Sequence, residues 1–434
     1  MRILVVGSGA REHALCWRLA EDPGVDEVLC APGNAGIARN YRTFPIDAGD
    51  PEAVLALAEQ ERVDLTVIGP EAPLARGIAD LFSARGRAIF GPRRLAAQLE
   101  TSKAFAKDFM RRHGVPTARY RVCGDADKAL AAIRSGEFGD QVVVKADGLA
   151  GGKGVVVADD HRQAADAVRA AMLDRSYGDA GSRVVLEERL SGPEVSFFVI
   201  ADGEHVVPLV SAQDHKRIFD DDRGPNTGGM GALAPSPLVD DRLQQRILNE
   251  IVRPVLHGMI VEGSPYRGVL YCGLMLTRDG PQVIEFNVRF GDPEAQVVLP
   301  LIAEPLTPLV WAAATGTLHS GRLRGETGAA VGVVLAAKGY PGDVEVGQPV
   351  EGLDSVARDC PDVLVFFSGV ASDDDSPVDG EGKLRTSGGR VLTIVARAAG
   401  LEDSIRRAYD AVRRVRFEGM QYRRDIGRKA LTHL

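Results

Sequence analysis

Between residues 2 and 92 short apolar runs alternate with amphipathic ones, and this alternation constrains the fold more than any other feature of the chain. Segments 3–7, 27–31, 65–69 and 88–91 have the continuous apolar character of buried strands, whereas 12–20, 51–61 and 75–84 carry helical spacing. Strands and helices in alternation build βαβ units around a parallel sheet. Such sheets take ligands at the carboxyl ends of their strands, where this chain places three turns: Gly7-Ser8-Gly9-Ala10-Arg11-Glu12-His13, Ala31-Pro32-Gly33-Asn34-Ala35-Gly36 and Gly69-Pro70-Glu71-Ala72-Pro73-Leu74.

At 434 residues the chain exceeds what one hydrophobic core organises. A helix over 102–112 stops at Gly114 and Pro116, and the first boundary falls just inside it, giving an N-terminal domain of 1–103. Strands at 142–145 and 155–158 flank a glycine-rich hairpin, a helix follows over 161–173, and strands continue at 183–188 and 194–201; residues of about 120–192 thus read as a small α+β lid within a central domain of 104–327. Residues 214–237 lack periodicity, and so long an irregular stretch in a compact protein is usually functional or disordered. A helical pattern over 240–261 leads to strands at 268–276 and 283–287. The last α+β domain, 328–434, has strands at 330–336 and 391–396 and a helix over 401–415.

A net charge of -8 argues against a general nucleic-acid binder, so anionic ligands must be met by local cations. Cys16, Cys30, Cys123, Cys272 and Cys360 form no CxxC and suggest neither a zinc site nor a disulfide framework. The first residues run from an apolar strand into glycine instead of resembling a secretory leader, and no run approaches the ~20 apolar residues of a membrane helix. A cytoplasmic protein with no nucleic-acid or membrane partner is expected.

The chemistry concentrates in a few segments. Period-two spacing on the strand ending at 287 puts Glu285, Asn287 and Arg289 on one face, followed by Gly291-Asp292-Pro293-Glu294. A carboxylate and an amide oxygen suit a hard cation that also binds nucleotide phosphates, and the arginine suits the anion; the plainer alternative is a half-exposed strand with charged outer residues. In Lys145-Ala146-Asp147-Gly148-Leu149-Ala150-Gly151-Gly152-Lys153-Gly154 the glycines let backbone N–H groups close over phosphates that Lys145 and Lys153 neutralise. It is no P-loop, since the GxxxxGK[ST] spacing is absent and a strand follows. Glu187-Glu188-Arg189-Leu190, with Glu194 beyond, could meet adenine and ribose from a linker between lobes, or could simply be solvated. Gly7-x-Gly9 lacks the third dinucleotide glycine, because Glu12 stands there; backbone amides at that helix start, with Arg11 and His13, suit a phosphorylated substrate instead. Asp214-His215-Lys216-Arg217 could be a charged surface turn, and Glu71 a carboxylate favoured at a helix start. No GxSxG elbow and no cysteine with an evident histidine partner support covalent catalysis.

In order along nearly the whole chain, GSGAREHA (7–14), APGNAG (31–36), VIGPEAPL (67–74), SKAF (102–105), VKADGLAGGKGV (144–155), SAQDHKR (211–217), GPNTGGMGA (224–232), IEFNVRFGDPE (284–294), GYPG (339–342) and SGGRVL (387–392) resemble the ATP-grasp ligases, and within them the phosphoribosylamine-glycine ligase family. The resemblance implies a pre-ATP-grasp parallel-sheet domain, an ATP-grasp core with a lid, and a C-terminal domain. It implies ATP and Mg2+, with Mn2+ as a substitute, and glycine and 5-phosphoribosylamine as substrates joined through glycyl phosphate in purine biosynthesis. By motif position Lys103, Lys145, Gly148, Gly151, Gly152 and Lys153 would meet phosphates, Glu187, Glu188 and Leu190 adenine, Glu194 ribose, and Glu285 with Asn287 the metal.

Charge and position within that scheme give Lys145, Asp214, Arg289 and Asp292 catalytic roles. Asp214 and Asp292 would handle amino groups, and Arg289 the glycine carboxylate or the γ-phosphate. Gly9, Arg11, Glu12, His13, Gly33, Asn34, Pro70 and Glu71 would receive phosphoribosylamine, with Lys216, Asn226 and Thr227 also lining the substrates. A monomer or weak homodimer is expected. The chain departs from the family pattern at Ser8, Ala10, Lys338 and Ser387, none of them a nucleotide or metal position. Rival readings are another ATP-grasp enzyme, which would lack the DHKR and PNTGGMG combination, and a nucleotide-binding regulator without turnover.

Overall fold

A computed structural model describes residues 1–149, 154–321, 323, 328–372 and 383–433. The N-terminal sheet is parallel, ordered from edge to edge Arg42–Thr43, Glu27–Pro32, Arg2–Gly7, Leu65–Ile68, Ala88–Phe90. Strand order reverses beside Arg2–Gly7, which opens a crevice at the carboxyl ends of this strand and of Leu65–Ile68. Two details differ from expectation. Arg42–Thr43 is too short to leave a pattern, and the helix expected over 75–84 is two helices, Glu71–Ala75 and Ile78–Ala84, because Gly77 between them is left-handed at φ 83°.

The lid is a four-stranded antiparallel sheet, Tyr120–Cys123, Val184–Glu188, Val142–Ala146, Val155–Val157. Helices Ala126–Arg134 and His161–Met172 bury Ile133, Ala164 and Val168 against Val142, Val144 and Leu186, a core separate from the rest. The central sheet runs Val206–Pro208, Glu194–Asp202, Arg267–Thr277, Gly280–Asn287. Alternation along Glu194–Asp202 sends Val195, Phe197 and Val199 into one core and Phe198 and Ile200 into another, so both faces are covered.

Residues 214–237 are not structureless. Arg217–Phe219 pairs with Arg223–Asn226, while Gln213–Asp214 and Gly231–Ala234 join Ala329–Ala336, Arg390–Ala398 and Leu364–Phe367 in one sheet. Strands of two to four residues escape a periodicity search, and this sheet draws on chain from both sides of residue 328. The helical pattern over 240–261 is realised as Asp241–Ile247, a π-type turn Leu248–Val252 and Arg253–Val261. The wider turn accommodates Pro254, which has no N–H to donate.

Candidate active site

The central strand Gly280–Asn287 delivers Glu285 and Asn287, and Arg289 continues the same alternation. Burial opposes ionisation of Glu285, but Lys216, Lys145, Lys103 and Arg289 together outweigh it and hold its carboxyl below the usual range. Lysines from the lid strand Val142–Ala146, the helix Lys103–Arg112 and the 214–217 turn therefore converge on one carboxylate. Asp214 lies in the same field. Burial, with the carboxylates of Glu294, Glu194 and Glu285, pushes it up to about 7 despite Lys216 beside it. Lys216 donates to Glu194 at 2.9 Å, and although burial disfavours its charge, Asp214, Glu194 and Glu285 raise its ammonium well above the ordinary value.

Arg289 is clamped. Its Nε reaches Glu71 Oε2 at 3.0 Å, and one terminal nitrogen reaches Glu100 Oε1 at 2.7 Å and Asn287 Oδ1 at 3.3 Å. Glu100 also accepts from Val288 N–H at 2.8 Å, and burial raises its carboxyl. The guanidinium expected to face an anion is thus already shared between two glutamates. Asp292 is held by Arg390 at 3.1 Å and by Gln296 at 2.7 Å; burial opposes its ionisation, and Arg390 and Arg11 outweigh it. Arg390 also donates to Gly228 O and Asp292 O, and Tyr340 Oη accepts from Gly228 N–H at 2.9 Å, so the C-terminal domain braces the Asn226–Gly229 turn. Thr227, buried, gives its hydroxyl to Lys216 O at 2.8 Å; Asn226 pairs with Arg217 across the hairpin.

On the lid side, Lys145 Nζ lies 2.9 Å from Glu187 Oε1 and donates to Ile284 O at 2.9 Å. The Glu187 side chain points inward between lysines, not out from the strand end as a linker carboxylate would. Glu188 holds Arg119, Leu190 is half-buried and Glu194 is exposed. Lys103 opens its helix, where Asp147 Oδ1 takes the Ala104 N–H and the Ser102 hydroxyl. Gly148 is needed for close approach, since a Cβ there would stand 2.6 Å from that of Ala180. Gly151, Gly152 and Lys153 lie outside the described residues.

At the N-terminal switch point the expected phosphate cradle is differently built. Glu12 Oε2 accepts from Gly9 N–H at 2.6 Å and Oε1 from Arg11 Nε at 2.5 Å, so a carboxylate already stands at the helix start where an anion was expected. Gly69 makes room for it, since a Cβ there would lie 2.0 Å from Glu12 Oε1. Arg11 also donates to Phe290 O at 3.2 Å. His13 offers no cation: it stacks on Phe367, accepts from Phe367 N–H at 3.0 Å, and burial takes its pKa down to about 4. Asn34 gives its amide N–H groups to Ser8 O and Phe367 O and accepts from the N–H groups of Gly36 and Ile37; Gly33 N–H bonds Gly7 O at 3.0 Å. Pro70 caps the short helix bearing Glu71, whose carboxyl Arg289 and Arg11 lower against the opposing effect of burial.

Sequence reasoning gave no role to Glu100, Lys107, Glu294 and Arg390. Each is a charged residue of ordinary appearance in a helix or strand; burial marks the first three, and Arg390, partly exposed, is marked by its ion pair with Asp292. Glu294, for instance, accepts from Tyr271 Oη at 2.6 Å inside the core.

A lid sheet and a central sheet that close on a lysine-surrounded Glu285–Asn287 strand define the ATP-grasp class of nucleotide-dependent enzymes. Among solved structures, the 2-oxoglutarate carboxylase biotin carboxylase domain of Hydrogenobacter thermophilus, in complex with MgADP and bicarbonate, shares this fold (TM-score 0.69, 18% identity, 97% of this chain and 91% of that one). The chain belongs to the phosphoribosylglycinamide synthetase family, matching its N domain over residues 1–100, its ATP-grasp (A) domain over 101–295 and its C domain over 330–429. It is 48% identical to the phosphoribosylamine--glycine ligase of Xanthomonas campestris pv. campestris, over 100% of this chain and 98% of that protein. The crystal structure of the phosphoribosylamine--glycine ligase of Thermotoga maritima matches at TM-score 0.84 and 35% identity, covering 98% of this chain and 100% of that one. This chain is accordingly an ATP-dependent ligase of purine biosynthesis. Among the described residues no helix is long and apolar enough to cross a membrane.

Proposed function

We propose that the chain joins glycine to 5-phosphoribosylamine with ATP, and that the field around Glu285 is where the phosphoryl group moves. The convergence of Lys103, Lys145, Lys216 and Arg289 on Glu285 carries this assignment, because transfer between anions needs fixed positive charge at the site. A carboxylate oxygen of glycine attacks the γ-phosphorus of ATP, the bond to the ADP oxygen breaks, and glycyl phosphate results. The amine nitrogen then attacks the acyl carbon, phosphate leaves with the bonding pair, and the nitrogen gives up a proton. Glycinamide ribonucleotide, ADP and phosphate are the products.

Lys145 and Lys103 offset the phosphate charge. Asp214, titrating near 7, is suited to hold an amino group or accept its proton. The turns at 7–13, 32–36 and 69–74 receive the sugar, where Glu12 and Glu71 suit hydroxyls better than phosphate. Mg2+, with Mn2+ as alternative, fits Glu285 and Asn287: one ionised carboxylate and one amide oxygen leave room for phosphate oxygens, and no cluster of three His, Cys, Asp or Glu residues suited to a metal stands among the described residues. Bound there, the cation would polarise phosphate oxygens. Cytoplasmic location and a monomeric or weakly dimeric state complete the proposal.

The test is phosphate release from ATP and Mg2+ with glycine and freshly generated phosphoribosylamine, separately and together. Release that requires both and matches amide product one for one supports the assignment. Release driven by another carboxylate and amine pair would retain ATP-grasp chemistry and remove these substrates.

A further inference from the structure

Helix Lys103–Arg112 carries two lysines one turn apart in different surroundings. Lys103 adds to the field on Glu285, whereas Lys107 is 2% exposed beneath the site. Its ammonium lies 2.8 Å from Glu187 Oε2 and donates to Thr117 Oγ1 at 2.7 Å; Thr117 passes a hydrogen bond to Val283 O at 2.7 Å. The other oxygen of Glu187 is 2.9 Å from Lys145, which itself donates to Ile284 O. One buried carboxylate is shared between two buried ammonium groups, and both lysines are tied to adjacent carbonyls of the strand that presents Glu285.

Joining the strands does not require this arrangement. Val142–Ala146 and Val184–Glu188 are already hydrogen-bonded neighbours, with Val143 opposite Glu187, and Glu187 with Lys145 alone would be a neutral pair. A second buried ammonium adds desolvation cost and leaves a net positive charge. What it changes is the carboxylate. With Oε2 taken by Lys107, Glu187 cannot turn both oxygens onto Lys145. An ammonium has three N–H donors; Lys145 spends one on Ile284 O and meets Glu187 Oε1 as an ion pair without a hydrogen bond, so at least one N–H stays open to a ligand.

We propose that Lys107 is a positioning residue for ATP: by holding Glu187 Oε2 it stops Glu187 from neutralising Lys145 and leaves one Lys145 N–H for the nucleotide phosphates. This rests on the assignment of Lys145 to the nucleotide. The charged and titratable groups facing Lys107 are Glu187 and Glu188 on one lid strand, Lys145 on another and the Tyr120 ring on a third; burial dominates and brings its ammonium down to about 8. Above that pH Lys107 loses its charge, Glu187 is released, and kcat/KM for ATP falls.

Steady-state kinetics on the full chain, with calorimetric titration of MgADP, test this. Lys107→Met should raise the KM for ATP about 10- to 100-fold, the range expected when the group orienting a ligand-binding side chain is lost, with the KM for glycine nearly unchanged. Lys107→Arg, which stays charged, should restore most of the affinity and move the alkaline limb of kcat/KM for ATP upward by at least about one pH unit. Wild-type KM for ATP in Lys107→Met, or an unmoved alkaline limb in a folded Lys107→Arg, overturns the proposal. Lys145→Met separates the two assignments. If it binds MgADP like the wild type, the nucleotide assignment falls and this one with it; if it loses MgADP while Lys107→Met does not, only the role of Lys107 falls.

Discussion

Asn34 and Glu285 are both polar residues at strand ends facing the site, yet their surroundings differ. At Asn34 every polar group is used internally: its amide joins Ser8, Gly36, Ile37 and Phe367, as Glu12 joins Gly9 to Arg11 and His13 joins its helix to Phe367. Around Glu285 charges of both signs gather with their ionisation displaced, Asp214 and Lys216 both upward. The first region is a scaffold whose geometry is fixed before substrate arrives. The second is a field that a polyanion and a cation would complete, and its cost is recovered on binding. Substitutions in the field should therefore cost turnover, and substitutions in the scaffold should cost stability.

The largest expected effect is at Glu285. Glu285→Gln should lower kcat by roughly 10²- to 10³-fold, the scale for removing a preorganised charge from a transition state. Its Tm should fall by no more than about 2–4 °C, because Lys145 and Lys216 keep Glu187 and Glu194 as partners. A large loss of Tm with turnover intact would erase the distinction between the regions.

Asp214 comes next. With its carboxyl at about 7, kcat/KM for glycine should rise with pH through neutrality as Asp214 ionises. Asp214→Asn should lose that limb and about 10²-fold of rate, the lower end of what a positioned proton acceptor contributes. A pH–rate profile retaining the limb in Asp214→Asn would assign it to another group.

Asn34→Ala should do the reverse of Glu285→Gln. It removes hydrogen bonds to three segments, each worth roughly 1 kcal/mol net, so urea denaturation should show about 3 kcal/mol less stability with kcat for bound substrates within about threefold. A kcat loss as large as that of Glu285→Gln would move Asn34 into the reacting field.

The parallel sheet was legible because buried strands and amphipathic helices of ordinary length leave strong periodic signals, as in 3–7 and 12–20. Glu285, Asn287 and Arg289 were legible because period two fixes their common face. The strands within 213–234 were not, being two to four residues long, and one of them, Gly231–Ala234, also pairs with chain about a hundred residues away. Lys107 and Glu100 were not, because helical spacing shows that a charge can face inward but not that a partner on another element, Glu187 or Arg289, waits there. His13, placed beside Arg11 in sequence as suiting a phosphorylated substrate, is packed in space against Phe366 and Phe367, where burial lowers its pKa to about 4 and leaves the imidazole neutral.

His13 also yields the smallest expected effect, and one whose sign separates the regions. Burial lowers its pKa from 6.5 to about 4, so between those values the unfolded chain binds the proton and the folded one does not. Stability from this group is complete above pH 6.5 and is lost as pH falls towards 4, which makes stability rise with pH in that window. His215, also lowered to about 4 by burial and then by Arg423, acts in the same direction. Asp214 acts in the other. Its folded carboxyl keeps a proton from 3.8 up to about 7, so its contribution falls as pH rises. His13→Gln should therefore flatten the dependence of unfolding free energy on pH between 4 and 6.5, and Asp214→Asn should steepen it and raise Tm near pH 7 by about 2–4 °C. Denaturant unfolding of the two variants at several pH values measures both slopes. If both move the same way, the neutral imidazole of the scaffold and the protonatable carboxyl of the field are not the opposed pair that their surroundings make them.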